Sequence, residues 1–506
     1  MYVHCGIYIA SSKINVINEI DTTMYNRIIQ SFSCLTNSHI LFFVLLIVSA
    51  NVLRAQDEVP LEGKWTGKLS VGGIKLLLVF NVSKDDSNGY TATMDSPDQN
   101  AFGIPVSSVT INGDKVLFEV ESISGIYKGV FDTDSAAITG NWIQGGGNYP
   151  VRLTKIGKVE VPNRPQNPKE PFPYKSERVN FRNEVDSITL AGTLTYPDKD
   201  SIRAVAVLIS GSGPQDRDET ILRHKPFLVL SDYLTRNGIA CLRVDDRGVG
   251  ESEGDFSTAT TFDFVTDVRA AVNYLRTRNE LANVKIGLIG HSEGGLIAPL
   301  VAGNDPDIFF IVLMAAPGVR GDSLLLLQQR AIGKASGFTE DRINENESVN
   351  RKIFNLILNN DNDEIIKPQI KHILSGYLKW MMEENYIDDE SDYNYINGQL
   401  EILLSPWFKT FLRYNPEPAL EKLKCYVLAI NGEKDVQVPP EENLHAIEQA
   451  LLKGGNNKSL VKELKGLNHL FQTADTGLPS EYGTIEETIS PDVLKLIGDW
   501  IKNITR

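Results

Sequence analysis

Between residues 60 and 156 apolar side chains recur at every second position, in short runs such as "KLLLVFNVS", "SVTINGDKVLFEV" and "IYKGVFDTDSAAITGNW". A period of two puts alternate side chains on opposite faces of a strand, and the intervening Asn-Gly and Asp-Ser pairs form tight turns. Residues 57–157 therefore predict a meander of short antiparallel strands, a small all-β, barrel-like module. Pro162, Pro165, Pro168, Pro171 and Pro173 follow. Fixed proline φ angles preclude a continuous helix, so 158–175 is expected to be an extended linker.

From residue 176 the period changes. "RVNFRN" and "ITLAGTLTYP" read as an opening hairpin. After it, the fully apolar "AVAVLIS" and further runs of strand length, "IACLRVDD", "VKIGLIG", "IFFIVLMAAP", "CYVLAINGE" and "SLVKELKG", alternate with helical patterns. Strands without a polar face need cover on both sides, so 176–506 predicts an α/β unit with a mostly parallel sheet and helices on both faces. Residues 320–420 interrupt the alternation with helical patterns alone and predict a cap over the C-terminal strand edge, where such sheets bind ligands.

The N-terminus has another pattern. Ile40–Ala50 is an apolar run of 11 residues, against the roughly 20 needed to span a bilayer. With Arg27 upstream and Ala55 downstream it predicts a signal peptide over 1–55, its start possibly at Met24. The chain is then expected to be exported, periplasmic or secreted, without stable membrane insertion after signal removal. His4, His39, Cys5 and Cys34 would leave with the signal. Cys241 and Cys425 sit inside apolar runs and read as buried small hydrophobes. No Cys/His cluster points to a metal, and no cofactor is implied. A formal net charge of −15 disfavours nucleic acid as a partner.

The densest chemistry lies at "IGLIGHSEGGLIAPL", where Gly290-His291-Ser292-Glu293-Gly294 joins a strand to a helix. G-x-S-x-G in that context predicts a sharp nucleophile elbow, with small residues either side of a strained, exposed serine. A serine hydroxyl needs a base, and the base a carboxylate. Asp435 follows the strand "CYVLAI", and His469 lies 34 residues further, after "SLVKELKG". Glu433 is the rival acid. Among other histidines, His291 is too close to Ser292 along the chain to be its base, His372 falls in the cap, His445 on a surface helix, and His224 is expected at the surface. The oxyanion donors are expected to be the backbone N–H of Glu293 and of Ser212 in "GSGPQDRD", with Gly213 next.

Four blocks, "SGSGPQDRD", "DDRGVGES", "GHSEGG" and "GEKDVQVP" with its later "NH", resemble the α/β-hydrolase superfamily over about two thirds of the chain. The combination is similar to bacterial carboxylesterases with an N-terminal β-rich module, and to the serine aminopeptidase and monoacylglycerol-lipase branch. The resemblance implies a serine hydrolase acting on a small-molecule ester, with Asp246 and Arg247 bracing the site. "SGSGP" stands where many esterases carry His-Gly-Gly-Gly. Two alternatives are an exopeptidase using the same three residues, with Glu383-Glu384 anchoring a free amine, and a non-catalytic surface binding protein. The apolar Leu324, Leu325, Trp380 and Met381 are expected to form the core of the cap.

Overall fold

The computed structural model describes residues 61–506 apart from 72–73, 85–88, 100, 134, 146, 156–162, 198–201 and 385–392. The expected signal peptide lies outside the described residues.

The alternating segment folds into nine antiparallel strands: β1 (Gly63–Val71), β2 (Ile74–Lys84), β3 (Tyr90–Ser96), β4 (Ala101–Val106), β5 (Ser108–Asn112), β6 (Lys115–Val120), β7 (Gly125–Asp132), β8 (Ala137–Gln144) and β9 (Gly147–Lys155). Their order is β4-β3-β2-β1-β9-β8-β7-β6-β5. The two edge strands, β4 and β5, are joined through Ser107 alone. A one-residue link requires both edges to lie side by side, so the sheet curls into a nearly closed barrel. Its interior is filled by Trp65, Phe80, Phe118, Tyr127 and Trp142, all buried. Phe80 stacks on Phe118 with centroids 4.6 Å apart.

The second unit opens with the hairpin β10 (Lys175–Asn183) and β11 (Ile188–Tyr196), followed by β12 (Ala204–Ile209), β13 (Ile239–Val244), β14 (Lys285–His291), β15 (Ile308–Met314), β16 (Tyr426–Gly432) and β17 (Ser459–Leu464). The sheet order is β10-β11-β13-β12-β14-β15-β16-β17. The strands from β13 to β17 run parallel, and the hairpin joins them antiparallel. One face is covered by α2 (Thr261–Thr277), α3 (Gly294–Ala302) and α10 (Pro440–Lys453). The other is covered by α1 (Pro226–Arg236) and α11 (Pro491–Ile504). Burial on both faces is why β12 to β16 lack polar alternation, whereas the edge strands β10 and β17 keep exposed polar residues.

Between β15 and β16 stand α4 (Gly321–Ala335), α5 (Glu340–Asn359), α6 (Asp363–Glu383), α7 (Tyr393–Leu403), α8 (Pro406–Arg413) and α9 (Glu417–Glu421). Leu324, Leu325 and Met381 lie in the cap's own core, with Trp380 packed against it. Leu296 of α3 and Val438 join that core and seat the cap on the sheet.

The two units are stapled together. Linker Arg164 donates to the carbonyls of Leu222 (2.8 Å), Gly483 (2.9 Å) and Ile485 (2.9 Å). From the barrel, the Asp98 carbonyl accepts the Leu222 N–H at 2.8 Å, and its carboxylate lies 3.5 Å from Arg223. Leu76 packs against a small cluster of Ile221, Leu222, Leu470 and Tyr482. His224, expected at the surface, is instead completely buried here. Its ring nitrogens meet Thr488 Oγ1 and the Tyr482 carbonyl, each at 2.9 Å. The correction has a physical origin: the C-terminal segment folds back over residues 221–224, which sequence order alone does not disclose.

Candidate active site

β14 runs straight into α3, and Ser292 at the junction has φ +54°. A residue with a side chain is strained there, and the surrounding structure must hold it. The Ser292 N–H donates to the Met314 carbonyl at the end of β15 (2.8 Å). The flanking glycines are required by space: a Cβ on Gly290 would meet the Gly294 carbonyl oxygen at 2.1 Å, and one on Gly294 the Ile209 carbonyl oxygen at 2.2 Å.

Asp435 sits in the loop after β16 and His469 in the loop after β17, both buried. Asp435 Oδ2 lies 2.7 Å from His469 Nδ1. Its other oxygen accepts the N–H groups of Gln437 and Val438 at 2.8 Å. One lone-pair set is thus fixed by backbone, and the other is aimed at the imidazole. Glu433 is exposed and accepts from the Gly466 N–H at 2.9 Å. The His469 loop is shaped by fully buried Asn468, whose Oδ1 accepts from the N–H groups of Leu470 (3.0 Å) and Gln472 (2.9 Å). His469 is brought to the elbow through His291, whose ring centroid lies 4.8 Å from its own.

The loop after β12 passes directly over Ser292: a Cβ on Gly211 would sit 3.1 Å from Ser292 Cβ. Asp246 shapes this loop by accepting from Ser210 Oγ (2.8 Å) and the Gln215 N–H (2.9 Å). Asp245 binds Arg217 through its backbone N–H (2.7 Å) and its guanidinium (3.0 Å). Arg247 turns away and pairs with Asp267 and Asp186, both at 2.8 Å. Among the described residues, neither the Ser212 nor the Glu293 N–H donates to a protein acceptor. Two such donors beside a serine suit an incoming oxyanion.

Glu293 is buried, and its carboxylate accepts from Thr261 of α2 (2.6 Å) and from Trp407 of cap helix α8 (2.9 and 3.0 Å). Burial pushes this carboxyl up, and the two hydrogen bonds offset only part of that. Asp246 is held well above the usual carboxylate range, first by burial and further by the charge of Glu293. Both line a cavity of about 40 Å³ with Ser210, Gly211, Phe264 and Ile297. Among the described residues no group of three or more His, Cys, Asp or Glu side chains is arranged to hold a metal.

Residues 225–365 match the family described as serine aminopeptidase, S33. A stretch of 168 residues is 31% identical to the esterase EstD of Thermotoga maritima, spanning 32% of this chain and 39% of that relative. An esterase structure from Pyrococcus furiosus aligns over 69% of this chain and all of its own, at 15% identity and a TM-score of 0.40. A proline iminopeptidase structure from Mycobacterium smegmatis aligns over 65% of this chain and 99% of its own, at 12% identity and a TM-score of 0.38. The second unit, from β10 onward, has the α/β-hydrolase fold.

Within this α/β-hydrolase unit, three contributors escape sequence reasoning. Asp245 is the first residue of "DDRGVGES", read only for its neighbours. Trp407 comes from the cap, and no local pattern ties it to Glu293. Glu219 follows the glycine loop in "DRDE" and accepts from both Gly211 and His291 at 2.8 Å. Glu383 and Glu384 are exposed, and Glu383 faces Lys379 at 3.6 Å.

Proposed function

We propose that this protein is a serine carboxylesterase. Ser292 attacks the ester carbonyl while His469, oriented by Asp435, takes its proton and returns it to the leaving alcohol. The N–H groups of Glu293 and Ser212 receive the negative oxygen of the tetrahedral intermediate. Water then resolves the acyl-enzyme by the reverse path. The observation that carries the reading is the buried 2.7 Å contact between Asp435 and His469, on strand ends at the same rim as the strained Ser292. The relative's name, an esterase, adds weight. The substrate is a small-molecule ester, and export remains part of the proposal through the apolar run at 40–50.

A second reading, an exopeptidase with the same residues, is favoured by the family description over 225–365. The exposure of Glu383 and Glu384 leaves that reading without a buried amine anchor at those positions. The test is a panel of p-nitrophenyl acetate and butyrate against aminoacyl p-nitroanilides, with fluorophosphonate labelling in parallel. Labelling lost in Ser292→Ala, with esters turned over faster, is the expected result. Faster anilide turnover would overturn the esterase assignment, and folded protein that takes no label would favour a binding function.

A further inference from the structure

His291 is excluded as a base for Ser292 by its place in the chain, yet it is buried beside the site with both ring nitrogens engaged. Nε2 lies 3.0 Å from the His469 carbonyl oxygen. A carbonyl can only accept, so Nε2 carries a proton. Nδ1 lies 2.8 Å from Glu219 Oε1. That same oxygen accepts the Gly211 N–H at 2.8 Å. Glu219 is almost completely buried and held at φ +52°, a backbone state that a residue with a side chain adopts only under constraint.

We infer that Glu219 and His291 are positioning residues: one buried carboxylate and one imidazole tie the oxyanion loop at Gly211, the elbow and the backbone of His469 into a single unit. The inference rests on the serine hydrolase reading. Three loops from distant parts of the chain must agree within a fraction of an ångström for a hydroxyl, a base and an oxyanion donor to act together. Asp435 fixes the His469 ring, but nothing in that contact sets where the His469 main chain stands relative to the elbow. The Glu219–His291 pair supplies that link. Burial alone would push His291 down; the Glu219 carboxylate and the His469 carbonyl outweigh it and hold the ring above its ordinary value.

The chemistry predicts which substitutions break the tie. In Glu219→Gln the negative charge that favours a proton on Nδ1 is gone. With Nε2 protonated, a neutral Nδ1 is an acceptor that only the amide nitrogen can meet, whereas the Gly211 N–H needs the amide oxygen, so the one atom that served both partners is lost. Substrate contacts are untouched. The expected result is therefore a fall in kcat of roughly 10- to 100-fold with KM within about 3-fold, measured per serine titrated by fluorophosphonate. His291→Gln retains a donor for the His469 carbonyl, so it should keep several-fold more turnover than His291→Ala. A residue that merely filled space would show neither the kcat-against-KM split nor the rescue.

Unchanged kcat per titrated site in Glu219→Gln overturns the inference. Equal losses in the two His291 variants do the same, and decide the matter should Glu219→Gln fail to fold. Absence of labelling in the parent protein would instead bring down the serine hydrolase reading, so the two failures are distinguishable.

Discussion

The barrel and the α/β-hydrolase unit both bury apolar cores but differ in the polar side chains they bury besides. Among the described residues of the barrel, the buried polar side chains are Thr66 and Ser96, and the interior is aromatic. The hydrolase unit buries Glu219, His224, Arg243, Asp245, Asp267, His291, Glu293, Asp435 and His469. A buried charge is costly unless paired or hydrogen-bonded, so it persists where something else requires it. The barrel interior is thus explained by stability alone. The hydrolase unit buries ionisable groups in several places, and one set of them, Glu219, His291, Glu293, Asp435 and His469, surrounds the elbow, where the proposed chemistry would account for it.

The comparison breaks most sharply at the serine. Ser292→Ala and His469→Ala should each lower kcat by roughly 10⁴–10⁶-fold while leaving thermal unfolding near that of the parent. A barrel substitution such as Trp142→Ala should do the reverse, lowering stability by about 3–5 kcal/mol with turnover per titrated serine retained. If Trp142→Ala abolished turnover in folded protein, the division between a chemical unit and a packing unit would be wrong. Next in size is the acid. Asp435→Asn should cost about 10⁴-fold in kcat, whereas Glu433→Gln should cost almost nothing, since Glu433 is exposed and only caps Gly466. A larger loss in Glu433→Gln would reassign the acid.

The same contrast governs how much the sequence discloses. Period-two alternation predicts the barrel, and its direct link from β4 to β5 explains closure. Apolar runs predict the parallel strands β12 to β16, because the burial of each is written in its own residues; the edge strand β17, with no buried residue, is read from its place in the alternation of strands and helices. The elbow is partly local: Gly290 is demanded by the Gly294 backbone four residues on, whereas Gly294 is demanded by the Ile209 carbonyl on a neighbouring strand and is legible only through the G-x-S-x-G motif. Glu219, Trp407 and His224 were missed for the opposite reason. Their partners lie 72, 114 and 264 residues off, and a polar residue beside such a partner looks in sequence like any surface residue. His224 shows the hazard plainly, being expected at the surface and found buried.

That misjudged histidine gives the third prediction. Burial first, and then the charge of Arg164, push His224 down to about 4, against about 6.5 unfolded. Between those values the unfolded chain holds the extra proton, so stability is full above about pH 6.5 and falls as pH drops toward 4. The loss amounts to about 3 kcal/mol. His224→Gln should flatten this acid limb in denaturant titrations. An unchanged slope would show that other groups carry it.

Two glycines sharpen the comparison at similar cost. A Cβ on Gly140 would meet the Lys128 carbonyl oxygen at 2.1 Å inside the barrel, matching the clash of a Cβ on Gly294 with Ile209 at the elbow. Each alanine substitution should destabilise its own unit by about 1–3 kcal/mol. Only Gly294→Ala should also reduce labelling of Ser292, because the elbow must shift to make room. Equal labelling in both variants would mean that the elbow tolerates more displacement than the oxyanion geometry allows.

The smallest effect is expected where the two units meet. Arg164 reaches from the linker to three carbonyls of the hydrolase unit, and its charge opposes protonation of His224. Arg164→Ala removes the donors and leaves the carbonyls to water, a cost of about 1–3 kcal/mol. Because the barrel and hydrolase have separate cores, the loss should appear as a separation of their melting transitions in calorimetry, with kcat little changed. The substitution also removes a positive charge from beside His224. Its folded pKa should rise, and the acid limb should shrink in the same variant that loosens the interface. A single transition at the parent midpoint, with the acid limb intact, would assign the union of the units to Asp98 and the Leu76 cluster instead.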